Sequence, residues 1–371
     1  MALDVAFRAW AGPFRLEVAF AMGGGTTAIL GPSGAGKTLT LRAIAGLLRP
    51  HDGRIAVDGR SLFDADGGID VPPRKRRIGL VFQEYALFPH LSVEANLAFG
   101  LRGRPRDEVD ASVRAMVELL GLEGLQPRRP DELSGGQRQR VAVGRALAPA
   151  PDLLLLDEPF SALDAPTREV LVAEFAALRS RLAMPTVLVT HDVAEAYALA
   201  DRLLVLDEGR VLQTGERDEV FHAPSSPAVA RLVGVRNLLP GVVQAVAGDT
   251  AQVDVGGLTV TVPVTAVGEG TEVTVGVRAR DVTAVPARTE GDANATLVRE
   301  VDRGERRTLV LRLTDGPEVQ AELDGDASRQ LGRTRPQRWH VHVADGAAMA
   351  WQGQSPLSHK RGQPSSPTAR G

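Results

Sequence analysis

The stretch that most constrains this chain is ILGPSGAGKTLTLRAIAGLL, residues 29–48, where three glycines and a lysine separate a strand-like apolar run from a helix-like one. Gly31-x-x-x-x-Gly36-Lys37-Thr38 is the spacing of a loop whose backbone N–H groups cradle phosphates. In such a loop the lysine reaches the β- and γ-phosphates and the threonine hydroxyl binds Mg2+. A helix starting near Lys37 adds its positive N-terminal end to the same anion site. Only three of the 371 residues are lysines, so composition does not account for one at this spot. Nucleotide binding is the expectation, through Gly31, Pro32, Ser33, Gly34, Ala35, Gly36, Lys37, Thr38 and Leu39.

Bulk properties narrow the field by exclusion. A formal charge of −3 gives no basis for a general polyanion binder. The absence of cysteine removes disulfides and thiolate metal sites and fits a reducing cytosol. No apolar run approaches the roughly 18 residues of a membrane span. The opening MALDVAFRAW has an acid at Asp4 and no apolar core of a leader peptide. A chain like this would serve a membrane from its cytosolic side.

Along residues 1–236 short apolar runs alternate with helix-like stretches, the pattern of an α/β domain with a mostly parallel sheet. Candidate strands are TTAIL, RIGLVF, DLLLLD, TVLVT and RLLVLD; helical periodicity marks TLTLRAIAGLL, VDASVRAMVELLGL and REVLVAEFAALRSRL. Strand signals vanish over about 84–150, which places a helical subdomain there. From residue 237 to 351 the texture turns to β, and Asp315-Gly316 in TLVLRLTDGPEVQAEL has the form of a hairpin turn. Residues 352–371 have the composition of a disordered tail.

Three further stretches bear on the chemistry. LLLLDEP is a buried strand that delivers Asp157 to the metal end of a phosphate site, with Glu158 beside it placed to polarise an attacking water. LSGGQRQRVAVGRAL, residues 133–147, opens a helix on two glycines with Ser134 and Gln137 as donors, a second anion site; its plain alternative is a helix N-cap at Ser134. VFQEYALFPH and VTHD each follow an apolar run with a polar side chain, Gln83 and His191.

With these on the page the chain resembles the ATP-binding subunits of ABC transporters, over residues 1 to about 235. The resemblance implies a P-loop NTPase cassette followed by a small all-β, OB-like regulatory domain. It implies ATP and Mg2+ as cofactors, with Thr38, Gln83 and Asp157 at the metal. Glu158, His191 and Gln83 become the catalytic group. Leu133, Ser134, Gly135, Gly136 and Gln137 become the signature that closes over ATP held by a second copy, and Ser161, Ala162, Leu163 and Asp164 the loop that crosses to that copy. For the aromatic stacked on adenine, Trp10 is the better match and Phe14 the alternative.

The kind of ABC protein is narrowed by what surrounds the cassette. One cassette without a span or a coiled-coil insertion differs from exporters and from repair or translation relatives. GVRNLLPGVV and VTVGVRARDV resemble the regulatory domain of binding-protein-dependent importers. An OB-like domain can also bind nucleic acid, but residues 241–350 hold 12 arginines against 16 acids, which argues against that partner, and no nucleic acid is expected. Partners implied are a second copy, a membrane permease and, indirectly, a periplasmic or lipid-anchored solute-binding protein. RRIGLVFQEYALFPHLSVEANLAFG and WAGPFRLEV most resemble molybdate or tungstate importers, with sulfate, ferric iron, polyamine and sugar importers as alternatives. A small-molecule kinase would share Lys37 and Thr38 but has no use for the signature; a non-transport ABC ATPase would share the whole cassette.

Overall fold

Strands buried on both faces are mostly apolar instead of alternating, and four segments of this chain have that character, with polar residues kept to their ends: β3 (Thr26–Leu30), β8 (Leu153–Asp157), β9 (Thr186–Thr190) and β10 (Arg202–Asp207). In the computed structural model, which describes residues 2–181, 184–263, 267–302, 307–323 and 336–353, they lie together. With β7 (Ile78–Val81) they form a parallel block in the order β10-β3-β9-β8-β7. The four leucines of β8 are fully buried, and truncating one of them to alanine typically costs about 2–5 kcal/mol.

The same sheet continues as an antiparallel wing. Here β1 (Leu3–Ala11) and β2 (Phe14–Met22) alternate buried and exposed residues, the pattern of a sheet with one solvated face. They pair from Leu3↔Met22 to Ala11↔Phe14. β4 (Asp52–Val57), β5 (Arg60–Asp64) and β6 (Ile69–Asp70) extend the wing, and β11 (Arg210–Glu216) joins it to β10. The sheet is therefore mixed, eleven strands among the described residues.

Between β7 and β8 the chain is helical, with α2 (Val93–Ala98), α3 (Arg106–Leu120) and α4 (Gly135–Leu147) after α1 (Lys37–Ala45). Then come α5 (Ala165–Arg181), α6 (Val193–Leu199) and α7 (Arg217–His222). Among the described residues no helix is long and apolar enough to cross a membrane.

The chain divides into two compact units between His222 and Ala223, ahead of the expected division at 236/237. Packing explains the difference. The segment containing α8 (Pro227–Leu232) belongs with the β unit, where Trp351 donates to the Pro224 carbonyl and Arg278 to that of Val233. Among the described residues this second unit holds two antiparallel five-stranded sheets. One orders β12 (Asn237–Ala247), β13 (Thr250–Asp254), β14 (Thr259–Pro263), β15 (Glu272–Val277) and β21 (Ala348–Gln352) as β14-β13-β12-β15-β21. The other orders β16 (Val282–Pro286), β17 (Ala295–Asp302), β18 (Arg307–Leu313), β19 (Glu318–Leu323) and β20 (Arg338–Val343) as β16-β20-β17-β18-β19. The Asp315-Gly316 hairpin is present between β18 and β19. Both sheets contribute to one apolar core around the buried Trp339. Of the expected tail, residues 354–371 lie outside the described residues.

Candidate functional site

Parallel strands that share a direction bring their carboxyl ends to one edge, where ligands of α/β sheets bind. Here that edge collects four segments. β3 leads into the loop at 31–36, β9 into His191, β8 into Asp157-Glu158, and β7 into Gln83. The sheet order, not their order in the chain, makes them neighbours.

The loop itself depends on glycine at two places. A Cβ on Gly31 would sit 2.1 Å from the Leu206 carbonyl oxygen, so the loop can leave β3 this close to β10 only without a side chain. Gly36 has φ 102°, and a Cβ there would meet Leu16 at 2.9 Å and the Phe14 ring at 3.2 Å. Gly36 is also the N-cap of α1, and no side chain caps that helix. The first-turn N–H groups of a helix have no intrahelical acceptor, which leaves a positive end suited to an anion.

Lys37 is 5% exposed and donates to the carbonyls of Gly31 and Pro32 at 2.9 and 3.0 Å. Its ammonium lies 3.6 Å from a Glu158 carboxylate oxygen. Burial lowers the Lys37 pKa, and the charges of Glu158 and Asp157 oppose that shift. The Thr38 hydroxyl donates to Asp157 at 2.9 Å. Asp157 is 7% exposed, and burial raises its pKa against the opposing Thr38 hydrogen bond. Glu158 stands at φ 45°, a left-handed conformation uncommon for a residue with a Cβ. Its amide donates to the Val189 carbonyl at 3.0 Å, while its second carboxylate oxygen lies 3.1 Å from His191 Nδ1. One carboxylate thus bridges the loop lysine and the histidine from the neighbouring strand.

A cleft of about 310 Å³ opens over this group, lined by residues that include Phe14, Ser33, Lys37, Thr38, Gln83 and Glu158. Phe14, not Trp10, is the aromatic in that lining. Trp10 is 44% exposed and packs edge-on against His51, with ring centroids 3.8 Å apart. The hairpin explains it: Ala11↔Phe14 is the last pair, so Phe14 opens β2 and faces Gly36 while Trp10 stays on the solvated side of β1.

The signature and crossing segments are not brought into this cleft. Ser134 caps α4, with the Gln137 amide donating to its hydroxyl at 3.2 Å and its own amide donating to the Gln137 side chain at 2.9 Å. Ser134, Gly136 and Gln137 line a separate cleft of about 460 Å³. Ser161 folds back on the Glu158 carbonyl through both its amide and its hydroxyl, at 3.2 and 2.9 Å. Asp164 accepts from the amide and hydroxyl of Thr167 at 3.0 and 2.9 Å, which lowers its pKa. Leu163 is buried and Ala162 exposed.

Several supporting residues lie outside the expected set. Thr190 donates to the buried Glu195 at 2.6 Å, and Asp192 accepts from the amides of Ala194 and Glu195 at 2.7 and 3.1 Å, so both neighbours of His191 are fixed. The spacing Asp192 to Glu195 carries the signal of a helix start. Arg76, fully buried, donates to the Ala43 and Ile44 carbonyls at 2.9 and 2.8 Å and so holds the far end of α1. Among the described residues no three His, Cys, Asp or Glu side chains converge as a metal cage. A hydroxyl and one carboxylate beside a phosphate loop suit Mg2+, which takes few protein ligands and completes its shell with phosphate oxygens and water.

A family model described as "ABC transporter" matches residues 18–161. The molybdenum import ATP-binding protein ModC of Paramagnetospirillum magneticum is 49% identical over 223 residues, 60% of this chain and 61% of that protein. The sulfate/thiosulfate import ATP-binding protein CysA of Mycobacterium bovis is 50% identical over 220 residues, 59% of this chain and 61% of that one. This chain thus spans less than two thirds of either relative. A ModC from Rhizobium etli is 38% identical over 319 residues, covering 84% of this chain and 89% of its own length.

Proposed function

We propose, from the premise that this chain belongs to the ABC transporter family, that it is the ATP-hydrolysing subunit of a solute importer. It would work as a pair of identical chains on the cytoplasmic face of a membrane, beneath a permease fed by a solute-binding protein. The observation that carries this is the bridge made by Glu158, between Lys37 at 3.6 Å and His191 at 3.1 Å, beside the Thr38–Asp157 hydrogen bond.

Each group has a task that follows from its position. Lys37 and the uncapped start of α1 hold the phosphates, exchanging the loop carbonyls and Glu158 for phosphate oxygens. Thr38, Asp157 and Gln83 would hold Mg2+, which would supply positive charge against the phosphate oxygens. Phe14 offers its ring to the base. Glu158 orients water and takes its proton, and His191 fixes the carboxylate that does so. Catalysis of this kind is mainly positioning and electrostatics. Glu158→Gln removes the proton acceptor and keeps the shape. ATP binding should persist while turnover falls about 10²-fold or more in a steady-state assay. Near-normal turnover would take Glu158 out of the mechanism.

For the solute we propose molybdate or a related oxyanion. Molybdenum and sulfate import ATP-binding proteins match the cassette about equally, and a relative aligned across 84% of this chain is a molybdenum import ATP-binding protein. Cells deleted for this chain should lose molybdate accumulation and keep sulfate uptake; the reverse outcome selects the sulfate alternative.

A further inference from the structure

We propose that Arg145 is a positioning residue that sets the loop carrying Gln83 by gripping two strained carbonyls from the side of α4. It deepens the ATPase function proposed above and rests on it for its kinetic consequences.

The loop in question leaves β7 after Val81 and runs through residues 82–91. Tyr85 and Ala86 within it have φ 60° and 46°, two consecutive residues with a Cβ in the left-handed region. Each is unfavourable there, and such pairs persist only where surrounding contacts hold them. Two local bonds accompany it: Tyr85 N–H donates to the Phe82 carbonyl at 2.9 Å and Ala86 N–H to that of Glu84 at 2.6 Å. What the conformation does is present both carbonyls toward α4. There Arg145 donates through one guanidinium nitrogen to Tyr85 O at 3.0 Å and through the other to Ala86 O at 2.6 Å.

The grip suits the guanidinium. Its rigid planar fork presents donors on separate nitrogens at a fixed spacing, matched here to two successive carbonyls, whereas an ammonium is one nitrogen on a flexible stem and holds such a pair less firmly. No carboxylate pairs with Arg145 among the described residues, and burial alone lowers its pKa. The charge is therefore committed to these carbonyls and to the face of the Phe88 ring, 5.3 Å from its centroid. The fully buried Asn96 of α2 fixes the next stretch, accepting from Phe88 N–H at 2.9 Å and donating to Phe88 O at 3.2 Å. Gln83, in the cleft lining, lies two residues before the gripped pair. The same helix that begins at Ser134 thus reaches back near its far end to set the loop at the cleft.

The test uses the full chain and four variants: Arg145→Ala, Arg145→Lys, Ala86→Gly and the Arg145→Ala, Ala86→Gly double variant. Hydrogen exchange without nucleotide reads the loop independently of any ATPase activity. Arg145→Ala should speed exchange of the Tyr85 and Phe88 amides about 10-fold while the Val141 and Ala142 amides of α4 keep their protection. Its kcat should fall about 10-fold with KM for ATP within about threefold. Ala86 is exposed, and glycine adopts a positive φ without strain. The double variant should therefore recover most of the lost kcat, which it would not do if Arg145 only supported the helix. If Arg145→Ala does not fold, Arg145→Lys takes its place, with exchange raised about threefold. Unchanged exchange at 82–91, equal loss along α4, or no recovery in the double variant overturns the proposal. A wild-type chain that hydrolyses no ATP would defeat the proposed function, and the exchange result would still decide the grip.

Discussion

At the start of α1, Gly36 stands at the N-cap with φ 102° and no side chain accepts from the helix. At the start of α4, Ser134 and Gln137 exchange two hydrogen bonds across the first turn. Both helices open on glycine-bearing stretches, and both invite the same inference of an anion site. The difference lies in what each needs. α1 lacks an acceptor at its positive end and has a buried lysine beside it, so its anion site stands ready within one chain. α4 is already satisfied by its own side chains, as a capping box is. The family resemblance implies that the phosphate facing α4 is that of a nucleotide held by a second copy's loop.

Two substitutions set the two ends against each other. Lys37→Ala should weaken nucleotide binding by the single chain about 10²-fold or more, as loss of a buried charge-assisted contact does. Ser134→Ala should leave that binding within about twofold and instead cost about 1 kcal/mol of stability, the usual worth of an N-cap. Titration with a fluorescent nucleotide and urea unfolding measure the pair. Equal binding losses would erase the distinction between the helices.

A smaller effect concerns the charge stored at the first end. Burial raises the Asp157 pKa, so the folded chain carries this carboxylate at a disadvantage. Between the ordinary carboxylate range and the raised value the folded state holds the extra proton, and stability falls as pH rises. Without nucleotide, Asp157→Asn should therefore melt a few degrees above the wild type at neutral pH. The gap should narrow as pH falls through the raised value, where the wild type becomes neutral as well. A wild type that melts higher than the variant at neutral pH would mean the carboxylate is held by favourable contacts instead.

Much of the loop end was legible in sequence because close approach and burial restrict residue choice. The parallel strands could hardly be anything but TTAIL, LLLLD and TVLVT, and the residues that end or follow them are the site. The antiparallel wing was less visible. LDVAFRAWA alternates with period two, a weaker signal than an unbroken apolar run. Which of Trp10 and Phe14 faces Gly36 depends on where the hairpin turns, and residue type does not fix that. Arg76 and Arg145 left no mark, since a chain with 43 basic residues, nearly all arginine, gives none of them prominence. Their partners are backbone carbonyls brought near by tertiary packing. The sequence offers Ser134 and Gln137 as donors, and their three-residue spacing equally allows the reciprocal cap that the structure shows.

The central claim is that each ATP site joins the uncapped end of α1 in one chain to the capped end of α4 in another. Mixed dimers measure it most directly. One chain carries Lys37→Ala and the other Ser134→Arg, both in a Glu158→Gln background so that nucleotide is trapped. A mixed dimer then has one site with both halves intact and one with both damaged, whereas either homodimer has two damaged sites. Tagged mixed dimers should occlude about one ATP each and the homodimers almost none. Two ATP occluded by the Ser134→Arg homodimer would mean that each chain completes its own site, and the account would be wrong.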